Sequence, residues 1–187
     1  MEVATQQPAS PARLVVPALV GAAVAVGLGV YGNVHDPTGE SILGDGLFFS
    51  ATLNMKAWLA TAVVLLACLQ LFTATWMFGH LPLAPTPSWV PRVHRVSGAL
   101  AFLISLPVVY HCLWALGFQD TDTRVLVHSL GGCFFYGAFV TKMLWLRVPA
   151  LGGALLAIVG GAVFTSLVAI WLTSALWFFD NFGFPSF

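Results

Sequence analysis

VHRVSGALAFLISLPVVYHCLWALGF (93–118), QDTDTR (119–124) and VLVHSLGGCFFYGAFVTKMLWLR (125–147) follow one another without a break. Two apolar runs, each able to cross a hydrocarbon core of about 30 Å, are joined by a short polar turn. They read as a helical hairpin. Three of the five histidines of the chain, His94, His111 and His128, fall inside it. An ionisable side chain at hydrocarbon depth is costly, so each of the three marks a functional position.

Composition agrees with that reading. Of 187 residues, 59% are hydrophobic and 7% charged, against about 25% charged in an ordinary soluble domain. The fold class is therefore an all-α integral membrane protein. Seven basic and seven acidic residues balance to zero, which excludes a nucleic-acid-binding surface. Cys68, Cys112 and Cys133 all lie in apolar runs, are odd in number and lack zinc-like spacing, so they read as buried thiols.

Working outward, five spans emerge, at about 14–33, 57–79, 93–118, 125–146 and 152–178. The last four are expected to form a bundle. Residues 1–13 read as a disordered cytoplasmic tail, and 14–187 as a single membrane domain. The first run is longer than the apolar core of a signal peptide, so it is read as retained. Residues 47–56 fit either the interface or an extension of the second span. Pro82, Pro85, Pro87 and Pro91 make the next connector stiff and extended. Pro107 is expected to kink the third span. Gly152, Gly153, Gly160 and Gly161 suggest close helix packing in the fifth. Arg13, Arg92, Arg95, Lys142 and Arg147 fall on one side, Lys56 and Arg124 on the other. The positive-inside rule then puts the N-terminus in the cytoplasm and the C-terminus outside a bacterial plasma membrane.

Depth pairs the histidines. His128 lies about 5 Å and His111 about 10 Å below the turn. Two imidazoles at similar depth suit one haem iron or another metal. Gly131 and Gly132, one turn below His128, leave room for a flat ring. Phe135 and Phe139 continue that face, and Tyr110 and Trp114 flank His111. Directly packed helices stand about 8–10 Å apart, so iron between them requires the hairpin to splay, as at Pro107, or the pair to sit diagonally in the bundle. The competing reading is a pair of polar side chains bonding across helices.

His94 precedes His111 by seventeen residues, about 25 Å along a helix, and so belongs to the other membrane face. A second haem there would need His80, or less suitably Met77 or Met143, as partner. Otherwise His94 bonds a loop carbonyl and His80 is solvated. Lys142 stands fourteen residues after His128, where a di-haem helix would repeat histidine. It reads as a partner for a haem propionate or an anionic quinone, or as a snorkelling lysine. Arg92 and Arg95 allow the same two readings. His35 with Asp36, Glu40 and Asp45 could bind a cation, or be solvated.

HRVSGALAF, the HC after Pro107, GF at 117–118 and HSLGGCFFYGAFVTKML resemble an uncharacterised bacterial family of small multi-span membrane proteins. More broadly they resemble the transmembrane cytochromes b of the ascorbate-reducible and ferric-reductase-like groups. The resemblance covers about residues 90–147. It implies haem b, transmembrane electron transfer, His111 and His128 as axial ligands, and a redox partner such as a Rieske-type iron–sulfur protein. The spacing from His94 to His111 and the cation at Lys142 depart from the paired-histidine pattern.

The expected function is thus a b-type haem membrane protein. It would carry electrons between a quinol or other membrane donor and an extracytoplasmic partner, at most as an electron-transfer oxidoreductase subunit. The rival is a haem-free accessory or assembly subunit of a respiratory complex. A proton or solute channel using His94 and Lys142 is a third, without an acidic relay residue inside any span. No nucleophile–base set and no phosphate loop supports a hydrolase or nucleotide role.

Overall fold

The computed structural model describes residues 11–40, 49–149 and 151–184. Among these, five helical spans follow in order, with no strand. α1 covers Pro11–Val34, α2 Thr52–Met77, α3 Val90–His111, α4 Thr123–Trp145 and α5 Gly153–Trp171. Two helices carry on past their α-helical ends through a wide π-helical turn. α3 continues through Cys112–Leu116, giving a 27-residue span. α5 continues through Leu172–Leu176 into α6 (Trp177–Phe182), giving a 30-residue span. All five are long and apolar enough to cross a membrane.

Several boundaries differ from those expected. α1 starts at Pro11, so residues 11–13 are helix; residues 1–10 of the expected tail lie outside the described residues. α2 starts at Thr52, which makes 52–56 part of the second span. Pro91 sits in the first turn of α3 rather than in the connector, a position where its missing N–H has no partner to lose. Pro107 lies inside α3 without breaking it. The departure from α-helical geometry comes five residues later, at Cys112.

Most large apolar side chains face outward. Leu65 is 65% exposed, Ile158 68% and Val26 65%. A surface of that kind suits hydrocarbon and not water. The buried positions are mostly small: Ala57, Ala67, Ala115, Ala138 and Ala175. Lipid tails are as apolar as leucine, so small residues that let backbones approach carry helix association here.

Three helix pairs make the closest approaches: α1 with α4, α2 with α3, and α4 with α5. In the first, Gly21 and Gly137 face each other so closely that a Cβ on either would strike the other's carbonyl oxygen. Trp145 Nε1 donates to Leu14 O at 2.9 Å and Thr141 Oγ1 to Gly137 O at 3.1 Å along the same seam. In the second, the Gln70 amide donates to Ser97 Oγ at 2.7 Å and to the His94 carbonyl. The glycines expected to pack α5 do not do so: Gly152, Gly160 and Gly161 have nothing beside them, and only Gly153 meets Phe78.

α3 and α4, the two arms of the hairpin, barely approach along their backbones. Long side chains bridge them instead. Tyr136 Oη donates to Ser105 Oγ at 2.9 Å, and the Phe102 and Phe139 rings stack at 4.7 Å. The hairpin is splayed, with α2 and α5 closing the opposite side.

The loop after α1 seals the π-helical turn of α3. Thr38 N donates to Trp114 O and Gly39 N to Ala115 O. His35 Nε2 meets Trp114 O at 3.2 Å, and its ring stacks on Tyr31. Carbonyls left open at a helix end are thereby satisfied. Gly117, at φ +70°, passes close to Gly32 O, where a side chain would collide. His35 is thus a capping residue; Asp45 lies outside the described residues.

Candidate functional site: a cavity between the splayed helices

Splaying leaves a cavity of about 400 Å³ at the turn end of the bundle. That is within the roughly 300–1,000 Å³ typical of small-molecule sites. Its walls come mainly from four helices, with Leu28 added by α1. α2 contributes Lys56, Ala57 and Ala60. α3 and its π turn contribute Val108, Cys112 and Leu116. α4 contributes Arg124, His128 and Gly132, and the α5 span Ile170, Thr173 and Trp177. Both π-helical turns therefore border it. Such turns are rare and concentrate at functional sites.

His128 stands on the wall with its ring fixed. Nδ1 lies 3.3 Å from the Ile170 carbonyl and 3.4 Å from Thr173 Oγ1. A carbonyl only accepts, so Nδ1 carries the proton and Nε2 the lone pair. Metal-ligating histidines are usually oriented in this way, the second ring nitrogen donating to a carbonyl. The opposite wall brings the Cys112 thiol against both His128 and Lys56. Gly132 opens onto the cavity, and a Cβ there would touch nothing. Phe135 lies on the same wall.

His111 is 9% exposed, and its Nδ1 is buried with no hydrogen-bond partner. An orphaned polar atom in such a setting costs about 1–3 kcal/mol. Its ring is not on the cavity wall, although Val108 and Cys112 on either side of it are. Gly131 is also off the wall and packs against Ile170 instead. Among the described residues no three of His, Cys, Asp and Glu gather to hold a bare metal ion.

The other expected ligands lie elsewhere. His94 Nδ1 is 2.8 Å from Thr73 Oγ1, a contact between α2 and α3. His80 is exposed, its ring stacked on Phe78. Arg95 is exposed at the start of α3. Lys142 is part-buried near His94. None of these four lines the cavity. Cys112 and Cys133 do, while Cys68 faces outward rather than being buried.

Sequence reasoning passed over Lys56, Arg124, Cys112 and Tyr136 as site residues. Lys56 and Arg124 carried a signal, being cations at the same membrane face as His111 and His128. Arg124 Nη1 donates to Thr173 O at 2.8 Å, and its guanidinium covers the Trp177 ring at 3.9 Å. Among the described residues it pairs with Asp122, 3.8 Å away at an exposed position, a pairing that contributes little.

Five helices long and apolar enough to cross a membrane define a multi-pass helical membrane protein. The chain belongs to the family of unknown function DUF6529, which matches residues 14–186. No curated protein and no solved structure matches it.

Proposed function

We propose that this chain is a b-type haem membrane protein. It passes electrons between a quinol or other membrane donor and an extracytoplasmic redox partner, such as a Rieske-type iron–sulfur protein. The observation that carries this reading is one histidine on the chamber wall and a second, unpartnered one buried behind it. His128 has one nitrogen fixed on a carbonyl and stands on the wall, and His111 is buried with an unspent Nδ1. A buried imidazole with nothing to bond is a cost that a ligand would remove. The resemblance of residues 90–147 to transmembrane cytochromes b points the same way, and the splayed hairpin leaves a cavity of about 400 Å³ beside His128.

In this reading His128 and His111 would hold the haem, in a chamber that Gly132 and Phe135 also line. When bound, haem would supply a one-electron couple. His111 lies off the wall next to Cys112, so its ring would have to reorient to reach the chamber. The cations and polar groups nearest the turn set the environment of the site, and the rest of its wall is apolar. Orientation follows the lysine and arginine count, with the N-terminus cytoplasmic, the C-terminus extracytoplasmic, and the site toward the outer leaflet of a bacterial plasma membrane.

The test is a reduced-minus-oxidised spectrum of the full chain, purified after expression with haem supplied, with haem quantified per chain. About one haem per chain supports the reading, and a flat spectrum removes it. The second reading, a haem-free accessory subunit of a respiratory complex, draws on the same His128 contacts as a clamp between α4 and α5.

A separate outcome concerns haem number. His94→Ala should leave haem per chain unchanged, because His94 lies off the cavity wall and joins α2 to α3 through Thr73. It should lower stability by about 0.5–1.5 kcal/mol, the worth of one hydrogen bond. Haem quantification and thermal melting of the variant check both. A halved haem content would instead require a second site at that end, where His80 and Lys142 are the groups at hand.

A further inference from the structure

The chamber is apolar over most of its wall, yet its turn end carries two cations, Lys56 and Arg124. No aspartate or glutamate lines it among the described residues. Among the described residues Lys56 has no ion pair, and Arg124 pairs with the exposed Asp122 at 3.8 Å. A cation facing an apolar chamber without a carboxylate is expensive. A bound anion at that end would offset the expense, and an apolar body would fill the rest.

We infer that the cavity takes an apolar molecule carrying a carboxylate, held acid-first with the acid at Lys56 and Arg124. The inference deepens the haem reading, since haem bears two propionates, but it does not depend on iron. A long-chain fatty acid presents the same chemistry. The two cations differ in role. Arg124 already bonds Thr173 O and covers Trp177, so it acts from a fixed place. Lys56 sits near the start of α2 on a flexible stem and supplies the adjustable contact.

The experiment uses the full chain in nanodiscs of neutral phosphatidylcholine. Iron protoporphyrin IX is titrated against its dimethyl ester, and a fluorescent C18 fatty acid against the matching alcohol. Wild type should bind at least one acid about tenfold more tightly than its neutral analogue, the size of one charge-assisted contact. Lys56→Met should abolish that preference, and Lys56→Arg should keep it. Melting curves check that the Met variant folds. Should it not fold, Lys56→Gln replaces it.

Outcomes separate this inference from the haem reading. If both porphyrins bind equally and the fatty acid shows no preference over its alcohol, the inference falls while the haem reading stands. If neither porphyrin binds but the fatty acid does, with dependence on Lys56, the inference stands and the haem reading falls. No measurable binding of either acid, or a preference that survives Lys56→Met, overturns it.

Discussion

Purified His128→Ala protein should lose its Soret absorbance, with haem per chain falling at least about tenfold. Loss of an outer contact to a ligand already costs about 10–100-fold in affinity, and loss of the ligand costs no less. His111→Ala should do the same. The more discriminating variant is His128→Gln. Its amide N–H can still donate to the Ile170 carbonyl, which keeps the link between α4 and α5. Its remaining amide oxygen is a poor ligand for haem iron. A clamp role predicts an unchanged spectrum and near-normal melting for Gln. Ligation predicts near-normal melting with the absorbance gone. Full absorbance in both His128 variants would rule out His128 as a ligand, and with it the bis-histidine site.

The five spans were legible because each is a property of its own segment. A run of about twenty apolar residues crosses a bilayer whatever its neighbours are. Depth was legible too: rise per residue puts His111 and His128 at one end and His94 at the other. Azimuth was not. The π-helical turn at Cys112–Leu116 has no periodic signature, yet it puts Cys112 on the wall while His111 stays off it. Packing partners were hidden for a similar reason. Gly21 and Gly161 look alike in sequence, but one lies against α4 and the other against nothing. Composition supplies a small residue; only the partner helix decides whether it is used. Lys56 and Arg124 were read as topology signals, since a cation near a helix end has that meaning whenever the chamber behind it is out of sight.

That distinction among glycines sets the second large effect. Gly137→Leu should lower the melting temperature by about 10 °C. A Cβ at Gly137 would press on the Gly21 carbonyl and stand 2.8 Å from Ala25 Cβ. These obstacles are a backbone atom and a methyl group on a rigid helix, so neither can swing away. α1 must lift from α4, and the Trp145–Leu14 and Thr141–Pro17 hydrogen bonds go with it. Overpacking costs about 1–3 kcal/mol, and each lost hydrogen bond about 1 kcal/mol more. For a chain of this size each kcal/mol is worth about 2–4 °C. Gly21→Leu should behave alike, because its Cβ would overlap Thr141 Oγ1 and the Gly137 carbonyl. Gly161→Leu is the control. Nothing stands beside that position, so the new side chain would lie against lipid and melting should move little. Thermal unfolding in detergent, followed by tryptophan fluorescence, reads all three, with Trp145 reporting from the seam itself. Equal melting of Gly137→Leu and Gly161→Leu would mean that α1 does not rest on α4.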